Sequence, residues 1–149
     1  MEVKQQLFKQ CQDFVNRRLQ TVEEMISSNQ KALQSETKSS AGDKHETGRA
    51  MLQLEMEKAS QQFAAISKMK QILSKIDIKN NSEAAHLGSI IYTTSGNYFL
   101  SISAGQLTVN NVVYFAISVS SPMGKILLGK TSNSEYVFNK MNNKVLFIK

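Results

Sequence analysis

Apolar residues recur along the first third of the chain at Val3, Leu7, Cys11, Phe14 or Val15, Leu19, Val22, Ile26 and Leu33. Steps of three and four mark one face of a long α-helix. The rhythm returns at Met51, Leu54, Ala59, Phe63, Ile66, Met69, Leu73 and Ile76. No proline interrupts either stretch, and Gln, Lys, Glu, Met and Ala fill most other positions, all good helix formers. Between them Ser35 to Gly48 is rich in Ser, Thr, Gly and charge, which is turn chemistry. Two helices of about 30 residues joined by a polar turn predict an antiparallel coiled-coil hairpin reaching roughly 45 Å. A parallel dimer of one continuous helix is the rival, and Gly42 and Gly48 argue against it.

From about residue 88 the period becomes two. Gly88 to Thr94, Tyr98 to Ser103, Val112 to Val119, Glu135 to Phe138 and Lys144 to Ile148 read as short strands rich in Val, Ile, Tyr and Phe. Ser95-Gly96-Asn97, Gly105 and Asn142-Asn143 separate them. Pro122 to Leu128 predicts a single short helix, with Ser121 as N-cap, proline in the first turn and Gly129 closing it. Asn80-Asn81-Ser82 is a plausible hinge. The expected fold class is α+β: a hairpin over residues 1–78, then a small antiparallel β domain with one short helix over 79–149.

Composition narrows the classes. Hydrophobic content of 41% and charged content of 20% across 149 residues suit an ordinary globular protein. No apolar run approaches the roughly 20 residues that span a membrane, and Met1-Glu2-Val3-Lys4-Gln5-Gln6 has no signal-peptide character. A single cysteine, Cys11, excludes an internal disulfide and fits a reducing compartment, so a cytoplasmic location is expected. The net charge of +6 and a pI near 9.5 favour a polyanionic partner. Residues 1–76 hold twelve Lys/Arg against nine acids, the mix of a solvated stalk, whereas residues 77–149 hold six against three, Asp77, Glu83 and Glu135.

The candidate chemistry sits between the two helical stretches, at Ala41-Gly42-Asp43-Lys44-His45-Glu46-Thr47-Gly48. If the backbone there is helical, Asp43 and Glu46 at i and i+3 leave on one side. Two carboxylates suit a hard cation such as Mg²⁺, which takes one or two protein carboxylates and completes its shell elsewhere. A tip of this kind binds metal firmly only where a partner supplies the missing ligands. Lys38, Lys44 and Arg49 flank it and could meet phosphates. The competing reading is a capping box, with Asp43 accepting from backbone N–H groups and Glu46 reaching back, both favoured by the helix dipole. Cys11 lies on the apolar face of the first helix, as a core residue would. His45, His86 and Cys11 have no metal-ligand spacing, and no phosphate loop, nucleophile elbow or triad motif is visible.

With the hairpin, the Gly42-Asp43-x-x-Glu46 tip and the segment Ile117-Ser118-Val119-Ser120-Ser121-Pro122-Met123-Gly124-Lys125-Ile126-Leu127-Leu128-Gly129-Lys130 together, the chain resembles the bacterial Gre transcript-cleavage factors. The likeness covers nearly the whole chain in order: hairpin, acidic tip, β-rich domain. It implies an FKBP-like C-terminal domain that docks on the rim of the secondary channel of RNA polymerase, with the coiled coil passing down to the active centre. There Asp43 and Glu46 would help hold a second Mg²⁺ and position water, and the polymerase's own centre would cleave backtracked RNA near its 3′ end. By the same likeness Ser121, Pro122 and Met123 would contact the polymerase, and Lys38, Lys44 and Arg49 the extruded RNA. The protein would be an accessory factor, not itself an enzyme, and a monomer. Two departures mark a divergent member: Thr47-Gly48-Arg49 stands where the family usually has Asn-Ala-Glu, and a Gly-Asp pair after Lys130 is missing. The first departure motivates an alternative, a non-cleaving channel regulator that competes with cleavage factors. A prolyl isomerase, suggested only by the implied fold, is a third class, since fold does not carry activity.

Overall fold

The computed structural model describes residues 2–38 and 42–149, with side chains described over 2–35 and 46–149. Two long helices, α1 (Val3–Lys38) and α2 (Gly42–Ser74), pack together and precede a six-stranded, mostly antiparallel sheet. The strands are β1 (Ile90–Thr93), β2 (Gly96–Ser101), β3 (Gly105–Val109), β4 (Val112–Ser118), β5 (Glu135–Phe138) and β6 (Met141–Ile148), with a short helix α3 (Pro122–Leu127) between β4 and β5. The α+β class stands. The chain forms two compact units: Val15–Lys70, and a second made of Met1–Phe14 with Gln71–Lys149.

In the hairpin unit Val15, Val22 and Asn29 are buried at seven-residue intervals, with Leu19, Ile26 and Leu33 half-buried four residues after each. Ala59 and Ile66 answer from α2, again seven apart, with Leu52 and Met56 half-buried. This is the heptad seam of an antiparallel coiled coil. Asn29 is the polar member of the seam, 9% exposed, a device that fixes register at some cost in stability.

The structure corrects the sequence expectation at two points here. Much of the turn read over Ser35 to Gly48 is helical: α1 runs on through Glu36-Thr37-Lys38, and α2 starts at Gly42 and accommodates Gly48 for about 1 kcal/mol. Met51, Leu54 and Phe63, read as seam positions, are 61%, 54% and 41% exposed. The phase is set by Ala59 and Ile66, and counting back seven from Ala59 gives Leu52.

In the second unit the sheet order is β3-β4-β2-β1-β6-β5. One strand was not expected from the sequence: β3, starting at Gly105, whose φ of +79° few other residues adopt. It joins β4 through Asn110-Asn111, both with positive φ (52° and 63°), the two-residue type I′ turn whose twist suits a hairpin. Asn139-Lys140 does the same between β5 and β6 (51° and 65°), which moves the start of β6 back from the expected Lys144 to Met141. The expected purely antiparallel sheet contains one parallel pair, β2 with β4. After Ser101 the chain passes over to the outermost position, and β4 returns into the slot between β2 and β3.

Alternation along the strands gives the sheet two distinct faces. One face presents Ile91, Leu100 and Val145 to Met123 and Leu127 of α3, with Ala85 and Tyr136 closing the core. The opposite face presents Phe99 and Ser101, both fully buried. The first turns of α1 belong here. Leu7 and Cys11 are 0% exposed, Cys11 Sγ lies 3.6 Å from Ser101 Oγ, and Gln10 Nε2 donates to the Thr108 carbonyl at 3.0 Å. Gly88, with φ +97°, lets the chain pass Ile76 where a Cβ would come within 2.9 Å of its Cγ2. The Cys11 thiol is pushed up to about 11 by burial, which outweighs its contact with Ser101. The thiolate is the reactive form, so Cys11 should resist iodoacetamide at pH 8 in native buffer and react fully in concentrated urea. Labelling followed by mass spectrometry checks this, and fast native alkylation would contradict the placement.

Candidate functional site

The tip helix α2 begins at Gly42, so positions 43 and 46 fall within its first five residues on one continuous helical backbone. That is the condition the carboxylate-pair reading required. It also places position 43 inside the helix rather than as the flanking residue a capping box needs. The side chains of Lys38, Asp43, Lys44 and His45 lie outside the described residues. Glu46 and Arg49 are described: both are exposed and stand three apart on α2. A carboxylate at position 43 or 46 sits near the positive end of the helix dipole, where negative charge is favoured.

At the α3 turn every polar role is traceable. Ser121, in extended conformation with φ −69° and ψ 159°, accepts from the Gly124 amide at 3.1 Å and donates to the Ser118 carbonyl at 2.6 Å. Pro122 follows at the first helical turn, where its missing N–H costs nothing. Gly124 packs so closely on the Ser118 carbonyl that a Cβ there has no room. The turn therefore presents Pro122 at the surface and Ser121 half-exposed, while Met123 points into the core beside Leu127. Lys125 is exposed in the last turn of α3 and complements its carboxyl end.

Several other groupings have the look of chemistry. Ser89 Oγ stands 2.8 Å from His86 Nδ1, as in a Ser–His dyad. Ser89 is fully buried and also accepts from the His86 amide at 3.0 Å, and Nδ1 lies 3.1 Å from the Ala84 carbonyl, so the pair braces the 84–89 turn instead of facing a substrate. Among the described residues, His86 Nε2 is a buried polar atom without a partner. Tyr136 donates to Thr93 Oγ1 at 2.9 Å, which donates to the Gly96 carbonyl at 2.8 Å, and Ser95 Oγ lies 2.9 Å from Tyr136 OH. This hydroxyl chain ties β5 to the β1–β2 turn. Tyr92 OH meets Tyr114 OH at 3.4 Å, and burial first, then Tyr114, holds the Tyr92 phenol well above its ordinary range. None of these offers an exposed, activated nucleophile.

The aromatic residues gather in the strand-rich half of the chain, which the sequence read as poor in them overall. Eight of the eleven Phe and Tyr lie in residues 77–149. Among the described residues no helix is long and apolar enough to cross a membrane, and no group of three or more His, Cys, Asp or Glu is placed to hold a metal. No family model matches the chain, and no curated protein matches it.

The α3 turn generates a graded expectation. Ser121→Ala removes one cap and should cost about 1 kcal/mol. Gly124→Ala must displace the Ser118 carbonyl or α3 itself and should cost about 2–4 kcal/mol. Urea unfolding followed by circular dichroism measures both, and the reverse order would refute this account of the turn.

Proposed function

We propose that this protein enters the secondary channel of RNA polymerase and stimulates Mg²⁺-dependent cleavage of backtracked nascent RNA through Asp43 and Glu46. The observation that carries the reading is the tip: a coiled-coil hairpin whose second helix begins at Gly42 and so brings both acids onto its first turns. The 29 helical positions from Gly42 to Lys70 would extend roughly 43 Å, long enough to reach a recessed site. The resemblance to Gre factors, carried by the same tip and by the Ser121-Pro122 turn, supplies the partner.

In this mechanism Asp43 and Glu46 are two ligands of an otherwise incomplete shell. The polymerase's own carboxylates, the RNA phosphate and water complete it, which is how Mg²⁺ is commonly held. A metal held there by Asp43 and Glu46 would supply, beside a second ion, the chemistry that activates an attacking water and stabilises a leaving oxygen. The protein's contribution is position: it brings negative charge to a place where a cation is needed only when RNA has backtracked. Lys38, Lys44 and Arg49 would then face the extruded strand, and Pro122 with Ser121 would meet the rim. As an accessory factor the protein would have no turnover of its own.

Arg49 favours a second reading. Arg49 is exposed three residues beyond Glu46, and a cation there lowers the attraction of the tip for metal. In that case the protein would occupy the channel, compete with cleavage factors and leave the RNA uncut.

One assay separates the two. Halted backtracked complexes given this protein and Mg²⁺ should release short 3′ RNA fragments, and Asp43→Asn should slow release by about 100-fold or more. Arg49→Glu should raise activity several-fold at limiting Mg²⁺. Uncut RNA together with inhibition of an authentic cleavage factor would establish the competitor, and uncut RNA without binding would remove both readings.

A further inference from the structure

The sheet face that receives α1 is only half covered. Phe99, Ser101 and Tyr114 are buried there, but on the β1–β6–β5 half Phe147 is 44% and Val137 58% exposed. Register places Tyr92 opposite Phe147 and Glu135 opposite Lys144 on this same side. The Tyr92 and Phe147 rings stack with centroids 4.2 Å apart and an interplanar angle of 17°. Tyr92 also meets Tyr114 edge-on at 6.0 Å, so its ring is held by two neighbours. One face of the Phe147 ring is thus backed by a fixed aromatic support. Over that ring stands the Lys149 ammonium, 5.9 Å from the centroid.

Charge runs along the same strand. β6 and its turn read Lys140-Met-Asn-Asn-Lys144-Val-Leu-Phe147-Ile-Lys149, with three lysines and no acid. Lys149 also lines a cleft with Lys79 and Glu2. Lys4 lines that cleft too, but it is buried, and its Nζ donates to the Asn80 carbonyl at 3.3 Å and to Asn81 Oδ1 at 3.4 Å. Glu2, Asp77 and Glu83 gather with Lys79 at the far end of the strand, so the cationic excess is confined to the exposed face of β6, where, among the described residues, Lys144 and Lys149 meet Glu135 alone.

We propose that this half-face is a binding surface for single-stranded nucleic acid, with one base stacking on Phe147 and adjacent phosphates paired with Lys144 and Lys149. A flat ring supported from behind and flanked by cations is the arrangement by which proteins hold unpaired strands without reading sequence. The ammonium over Phe147 is itself a weak cation–π partner. A base entering the same space replaces it, and the freed lysine reaches the phosphate of that nucleotide. An acidic protein surface would satisfy the lysines but leave the ring pair unused. A duplex would offer phosphates but keep its bases inside. The surface is built of sheet residues and uses none of the hairpin tip, so it stands or falls separately from the polymerase reading.

The experiment uses the full chain alone and fluorescence anisotropy with labelled oligouridine of roughly 12 nucleotides, matched oligothymidine and a blunt duplex. Both single strands should bind at low salt with micromolar affinity, and the duplex about tenfold more weakly. Phe147→Leu keeps an apolar side chain but loses the ring. It should weaken single-strand binding about tenfold with an unchanged salt slope, the loss expected for one stacked base. Lys144→Ala with Lys149→Ala should instead flatten the log–log salt dependence by roughly 1.4, two phosphates' worth for a single strand. Circular dichroism melts of both variants should match the parent. Binding of either single strand with these two signatures upholds the proposal, and the tighter of the two identifies the preferred sugar. Equal affinity for duplex, or an unaltered affinity in Phe147→Leu, overturns it.

Discussion

An amphipathic helix cannot hide its own apolar stripe, and α1 carries one that runs through nearly all of its 36 residues. Everything in this chain follows from how that stripe is covered. The sheet unit takes Leu7 and Cys11, while Val15 and Val22 are buried in the hairpin unit against α2. A single helix therefore contributes to two cores of different kinds, one a twisted sheet and one a heptad seam. Burying a Val or Leu side chain is worth roughly 1.5–3 kcal/mol, so leaving either segment uncovered would cost a large part of the stability of a chain this size. Shortening the helix from its N-terminus strips the sheet core of Leu7 and Cys11, and shortening it from the other end strips the seam.

Much of this organisation was legible in the residues. The change of period from three-and-four to two, the hairpin, the single short helix and its Ser121-Pro122 entrance all read directly from spacing. What escaped did so for identifiable reasons. Strand β3 is only five residues long and begins at Gly105, which reads as a break until Asn110-Asn111 is seen to supply two positive φ angles. The phase of α2 was misplaced near its start because Met51 and Leu54 are large and apolar, whereas the half-buried positions there are Leu52 and Met56. Ala59 and Ile66 read correctly as apolar-face positions, but they do not by themselves say which large apolar residues upstream share their face.

The candidate site was legible as residue types but not as chemistry. Asp43 and Glu46 are two carboxylates that mean little alone, because the groups completing their coordination would belong to another molecule. Only position gives them meaning, and position follows from the backbone: an α2 that begins at Gly42 makes them neighbours on one helix. The Tyr92–Phe147 stack shows the opposite difficulty. Each residue reads as an ordinary strand aromatic, and only the β1–β6 register, with its irregularity between Tyr92 and Thr93, brings the rings face to face.

The sheet order also constrains the sequence of events by which the molecule assembles. The β1–β6 ladder joins Ile91 to Ile148, so the middle of the sheet closes only after the last strand has been threaded beside the first. Helices and their short hairpin form from local contacts, whereas such long-range pairing is slow. Until β2 is in place, Leu7 and Cys11 have no sheet to lie on. The contact between Cys11 and Ser101, 90 residues apart, therefore reports when α1 meets the sheet. The same thiol that is inert in the finished protein is a natural clock for its completion: the moment it falls silent to a modifying reagent dates the docking of α1.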